Sequence, residues 1–221
     1  MRTVLWDLDG TILDSEGLAK DGTRHGFLEI LGRAPTADEF ARLVGRPVRL
    51  VYRAWFGDEL GQQVLDAGSK HYDAHVEEIV SYEGVHTVLQ ELKRLGYRQG
   101  IVSSKRREKI VRELVLNGME ALFDTVVGQQ DTDMHKPYPD PLLLAVTRLG
   151  VTARDCVYIG DQPSDMEAAR AAGMQSIAAL WGEGDMARLR AVNPACCARK
   201  PDDVLDFLLG DSTMTASKGA L

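Results

Sequence analysis

"VLWDLDGTILDSE", residues 4–16, sets an apolar run directly against two acidic residues separated by one leucine. Val4, Leu5 and Trp6 suit a buried strand. Asp7 and Asp9 stand together at its end, and Gly10-Thr11 reads as a turn. Two carboxylates brought together at the edge of a core lose hydration and repel each other, and a nearby cation offsets both costs. A metal ion is therefore the first expectation, and the rest of the chain must supply its other ligands.

Composition bounds the search. The 221 residues are 44% apolar and 27% charged, ordinary for a globular protein with one substantial core and a smaller insertion. A net charge of −7 and a pI of about 5.3 argue against nucleic-acid or anionic-membrane partners. No apolar stretch approaches the roughly 20 residues of a membrane span. The first strand is expected to start almost at Met1, so no signal peptide is expected. Cys156, Cys196 and Cys197 make no framework of spaced pairs, so reduced thiols and a cytoplasmic location are expected.

After residue 80, strand and helix patterns alternate. "EGVHTVLQELKRLG" has Val85, Val88, Leu89, Leu92 and Leu95 at helical spacing and stops at Gly96. "YRQGIVSS" reads as a strand, "REKIVRELVLNG" as a helix, "FDTVVG" as a short strand and "PDPLLLAVTRLG" as a helix. "DCVYIGD" is a strand running into another acidic residue. The helix "PSDMEAARAAGM", the strand "QSIAAL" and the helix "PDDVLDFLL" follow. This alternation predicts an α/β fold with a doubly wound parallel sheet. Residues 15–80 contain only helix-like segments, and are expected to form an α-helical cap inserted after the first strand. Residues 1–14 and 81–210 then make the core, and the small polar residues 211–221 a disordered tail.

In an open α/β sheet, ligands bind beyond the carboxyl ends of the strands. Asp7 and Asp9 end the first strand and Ser103 and Ser104 the second; Lys136 lies beyond the third, and Asp161 and Asp165 follow the fourth. Carboxylates from two strands form a hard oxygen site suited to Mg²⁺, which keeps waters and recruits phosphate oxygens. A hydroxyl and a lysine nearby would hold those oxygens, and a free aspartate could attack phosphorus.

These residues resemble a known family. Asp7-Leu-Asp-Gly-Thr11 looks like the first signature of the haloacid dehalogenase superfamily; "IVSSK", "HKPYPDP" and "IGDQPSD" resemble its second, third and fourth, in order. The resemblance spans roughly residues 3–209 and extends to the helical cap, as in phosphoglycolate phosphatase and β-phosphoglucomutase relatives. It implies Asp7 as nucleophile, Asp9 as general acid then base, and Ser103 and Lys136 as phosphate binders; the adjacent Ser104 is a further candidate for the phosphate. It also implies Mg²⁺ held by Asp7, the Asp9 backbone carbonyl and Asp161, with Asp165 in support. In this superfamily, an aspartate two places after the nucleophile fits transfer from a phosphate ester, whose alkoxide leaving group needs a proton. Glu83 stands where relatives often have proline, near an expected cap hinge, and Ser104 where asparagine is common.

The expected activity is therefore hydrolysis of a small phosphate monoester, phosphoglycolate-like by preference, by a monomer or homodimer with no nucleic-acid or membrane partner. A phosphomutase shares this core, although the His-x-x-x-Trp pattern associated with the mutase cap is missing. A non-catalytic binding protein on the same fold is the reading of a different class. Arg46, in the break "LVGRPVRL" between cap helices, is the candidate for choosing the substrate. Several features read as unrelated to chemistry: His71 and His75 as a solvated helix face, "SKRREK" at 104–109 as an exposed helix start, and Gly182 and Gly184 as shaping a loop near the site.

Overall fold

The structure is a computed structural model that describes residues 3–210. The expected tail lies outside the described residues. β1, Thr3–Trp6, is buried along its whole length, as its unbroken apolar run requires of a strand covered on both faces. It pairs in parallel with β4 (Arg98–Val102) on one side and β6 (Cys156–Gly160) on the other. β5 (Thr125–Val127), β7 (Gln175–Ala179) and β8 (Cys196–Ala198) complete a six-stranded sheet in the order β5-β4-β1-β6-β7-β8. The order turns back on itself at β1, so this strand's carboxyl end opens onto the sheet's switch point.

Alternate residues of β1 serve opposite faces. Val4 and Trp6 join a core with Val88, Leu89, Leu92 and Ile110, from α5 (Val85–Arg94) and α6 (Arg107–Leu116). Leu5 joins another with Leu142, Ala145 and Ala169, from α7 (Asp140–Leu149) and α8 (Pro163–Ala171). Helices on both faces give the doubly wound α/β architecture expected from the sequence. Among the elements around this sheet, β8 and α9 (Met186–Ala191) were not legible there.

Between residues 13 and 81 the chain departs from the sheet. β2 (Leu13–Asp14) and β3 (Val80–Ser81) pair antiparallel as a two-residue ribbon. Four helices lie between them: α1 (Glu16–Leu31), α2 (Ala37–Leu43), α3 (Val48–Phe56) and α4 (Asp58–Ala74). They carry their own small core, in which Phe27, Leu43, Tyr52 and Val64 are buried together. Among the described residues, no helix is long and apolar enough to cross a membrane.

Candidate active site

Asp7 follows β1 directly, and its N–H continues the sheet by donating to Ile159 O at 2.8 Å. Its side chain is buried; Oδ1 accepts from Leu8 N–H at 2.8 Å, and Oδ2 lies 3.0 Å from Lys136 Nζ. The next turn is tight, because Leu8 O accepts from the N–H groups of Thr11, Ile12 and Leu13. Gly10 makes this possible at φ 73°, a left-handed conformation that glycine enters without a Cβ penalty. The turn presents the half-buried Asp9 beside Asp7. Asp9 Oδ1 accepts from Lys105 Nζ at 2.6 Å and from the Ser15 hydroxyl.

Asp161 directly follows β6 and has no exposed surface; Gln162 Nε2 donates to its Oδ2 at 2.7 Å, and the Thr11 hydroxyl to its Oδ1 at 3.4 Å. Asp165, also fully buried, lies in the first turn of α8, where its Oδ2 accepts from Gln162 N–H at 2.9 Å. Its other oxygen is 2.6 Å from Lys136 Nζ, which in turn donates to Tyr158 Oη at 3.0 Å. The loop after β7 closes over this floor: a Cβ on Gly182 would come within 2.8 Å of Asp161.

Asp7, Asp161 and Asp165 each offer an oxygen within 4.8 Å of the others. Three buried carboxylates against one lysine leave the cluster short of positive charge. Burial, then the Asp165 and Asp9 carboxylates, raise Asp7 to about 7 against the pull of Lys136. Burial, with Asp165 and Asp7 close by, also lifts Asp161 well above the carboxylate range. Burial works against the Lys136 ammonium, yet Asp165 and Asp7 together outweigh it and raise its pKa. Hard, crowded oxygen donors that resist ionisation are what a divalent cation stabilises, so the donor set fits Mg²⁺.

A cavity of about 290 Å³ opens above this floor, walled by Asp7, Asp9, Ser103, Ser104 and Lys105 from the core and, from the cap, by Arg46 in the turn between α2 and α3 and Arg49 in α3. Ser103 is buried, and its Oγ accepts from Lys105 N–H at 3.2 Å. The Ser104 hydroxyl instead donates to Gly45 O at 3.2 Å, seating the turn before α3 on the core. Lys136, Asp161 and Asp165 lie behind Asp7 and do not line the cavity. Arg46 is exposed at its rim.

One expectation needs correction. "SKRREK" is not uniformly an exposed helix start, because the Lys105 side chain is 13% exposed and turned inward onto Asp9, Glu113 and Tyr72. Its polar neighbours concealed it. The readable signal lay in α6, where Glu113 shares the buried helix face with Ile110 and Leu114 and so requires a cationic partner. The His71 and His75 rings lie 4.6 Å apart, tilted against each other and away from the cavity, and Cys156 is a buried thiol.

The family profile of haloacid dehalogenase-like hydrolases matches residues 4–179, and the chain belongs to that family. A PpaX relative from Caldanaerobacter subterraneus is 35% identical over 184 residues, 82% of each chain. The pyrophosphatase PpaX of Bacillus velezensis is 29% identical over 205 residues, 93% of this chain and 95% of that one. A haloacid dehalogenase-like hydrolase of Streptococcus pneumoniae superposes with a TM-score of 0.82 at 25% identity, covering 94% of this chain and 98% of that chain.

Proposed function

We propose that this haloacid dehalogenase-like hydrolase is a Mg²⁺-dependent cytoplasmic phosphatase of small, phosphoglycolate-like monoesters, working through an aspartyl-phosphate. The observation that carries this reading is the pairing of two differently placed aspartates. Asp7 is clamped by Leu8 N–H and Lys136, and Asp9 lines the cavity beside it. Asp7 attacks phosphorus as the ester oxygen leaves, and Asp9 gives that oxygen its proton, a contribution of about 10²–10⁴-fold. Asp9, now a base, then takes a proton from the water that cleaves the acyl-phosphate. Lys136 favours the ionised form of Asp7 and fixes its carboxylate, while Ser103 stands at the cavity wall to meet a phosphoryl oxygen. Mg²⁺, held by Asp7, Asp161 and the Asp9 backbone carbonyl with Asp165 in support, would neutralise the transferring group's charge. Hydrolysis of a panel of phosphorylated metabolites, with and without chelator, tests the reading; no metal-dependent phosphate release from any of them would overturn it.

A second reading, inorganic pyrophosphate as substrate, is favoured by the PpaX relatives and by the arginines at the rim. Arg46 and Arg49 could meet a second phosphoryl group as readily as a carboxylate.

Two expectations follow directly. Asp161→Ala removes one carboxylate from a sparse metal site, so its activity should require a higher Mg²⁺ concentration and recover in part at saturation. A Mg²⁺ titration indistinguishable from wild type would place the metal elsewhere. Arg46→Ala should lower kcat/KM for phosphoglycolate or pyrophosphate by about 1.5–3 kcal/mol, roughly tenfold to a hundredfold. The same change should leave para-nitrophenyl phosphate, which lacks a second anionic group, nearly unaffected. Equal losses would move selectivity to another cap residue.

A further inference from the structure

Glu113 is a carboxylate with 1% exposure on the inner face of α6, and the chemistry above does not use it. A buried charge of this kind persists only when it is paired. Its Oε2 lies 2.6 Å from Lys105 Nζ, and its Oε1 accepts from the Tyr72 hydroxyl at 2.9 Å. Lys105 Nζ also reaches Tyr72 Oη at 2.9 Å and Asp9 Oδ1 at 2.6 Å. An ammonium has three protons, and here each finds an oxygen from a different part of the molecule. Asp9 belongs to the loop after β1, Glu113 to α6, and Tyr72 to the last helix of the cap.

We infer that Lys105 is a positioning residue that orients Asp9 for proton transfer and makes that orientation depend on the seating of the cap. The inference rests on the reading of Asp9 as general acid. Lys105 and Ser15 both engage Oδ1. Oδ2 has no hydrogen-bond partner among the described residues and belongs to a side chain that lines the cavity. The carboxyl is therefore held by one oxygen, which leaves the other for proton transfer. Glu113 balances the ammonium's charge, so Lys105 directs Asp9 without acting on it as a lone cation. Tyr72 supplies the dependence on the cap. α4 meets α6 through the Tyr72 hydroxyl, and Asp73 stands 3.3 Å from Lys109 and 3.5 Å from Arg112. When α4 lifts away, Lys105 loses one of its three partners and Asp9 loses a fixed orientation. The acid is thus aligned when the cap covers the substrate, and proton transfer in the open enzyme is suppressed.

The balance of the assisted step defines the test. As the Asp7–phosphorus bond forms and the phosphorus–ester oxygen bond breaks, Asp9 Oδ2–H gives its proton to the departing oxygen. An alkoxide needs that proton; 2,4-dinitrophenolate does not. Single-turnover release of the alcohol from an alkyl phosphate and of dinitrophenolate from its phosphate reads this step apart from later hydrolysis. In Lys105→Met, alkyl release should fall about tenfold or more while dinitrophenolate release changes by less than about threefold, and Asp9→Asn should show the same pattern more strongly. Tyr72→Phe should give a smaller loss with the same dependence on the leaving group. Should Lys105→Met fold poorly because Glu113 is left unpaired, Lys105→Met with Glu113→Gln removes both charges and is read identically. Equal losses for the two esters, or none, would make Lys105 a structural residue and overturn the inference. If Asp9→Asn shows the leaving-group dependence and Lys105→Met does not, only the positioning role fails. If Asp9→Asn itself lacks it, the acid assignment fails and takes this inference with it.

Discussion

Asp7→Asn is expected to fold like the wild type and to lose turnover. The amide cannot form an acyl-phosphate, so the loss should resemble that of other deleted nucleophiles, on the order of 10⁴–10⁶-fold in kcat. The fold should persist because the site is short of positive charge rather than of negative. Asp7 is pushed up to about 7, chiefly by burial and then by the Asp165 and Asp9 carboxylates, so replacing it with a neutral isostere relieves repulsion. Asp165 still pairs with Lys136 at 2.6 Å. The assay is steady-state hydrolysis of para-nitrophenyl phosphate beside a thermal melt, with intact mass excluding deamidation back to Asp. Turnover in a clean preparation would remove Asp7 from the nucleophile's role.

Lys136→Met is expected to damage stability as well as activity. Lys136 is buried and lies within 3.0 Å of both Asp7 and Asp165, so its removal leaves carboxylates with no cation in a dry floor. Breaking a buried pair from one side costs about 3–5 kcal/mol. The pH dependence has a definite sign. Burial pushes Asp7 up to about 7 in the folded protein from an ordinary 3.8, so its contribution is fully present below 3.8 and is lost as pH rises through about 7. Removing Lys136 raises that carboxyl further. The destabilisation of metal-free Lys136→Met should therefore be larger at pH 8 than at pH 5, and added Mg²⁺ should restore part of it. Urea unfolding at the two pH values measures both effects. A loss independent of pH would show that the lysine acts through packing and not through charge.

Much of this architecture was written in patterns that burial makes obligatory. β1 is apolar throughout because both its faces are covered, and the abrupt change to Asp7 marks the sheet edge. Helices such as α5 carry a periodic apolar stripe because only one face meets the core. β8 was hidden for the opposite reason: it is a three-residue edge strand, two of whose residues are only partly buried, so no alternation develops. α9, at six residues, is too short for a helical period to show. The paired β2 and β3 consist of two residues each, and their partnership depends on the helices between them.

The site divides along the same line. Asp7, Asp9, Asp161 and Asp165 could be placed together because each sits at a strand end or one helical turn beyond it, where topology dictates convergence. Lys136 could be placed near the strand ends, but its seat behind Asp7, between two carboxylates, follows from packing that spacing does not encode. Ser103 and Ser104 are adjacent, yet one remains at the cavity wall while the other bonds the cap's Gly45 carbonyl. Lys105 was obscured because a lysine among arginines and glutamates reads as solvated. Asp9 and the distant Tyr72 and Glu113 turn it inward.

The central claim is a phosphoryl group carried on Asp7, and borohydride trapping tests it most directly. Enzyme quenched during turnover of phosphoglycolate or pyrophosphate with Mg²⁺ is reduced, which converts an aspartyl-phosphate to homoserine, and peptide mass spectrometry locates the change. The account predicts homoserine at position 7, dependent on both substrate and Mg²⁺ and abolished in Asp7→Asn. Homoserine at another position, or a phosphoryl group on Ser103 with Asp7 unmodified, would contradict it.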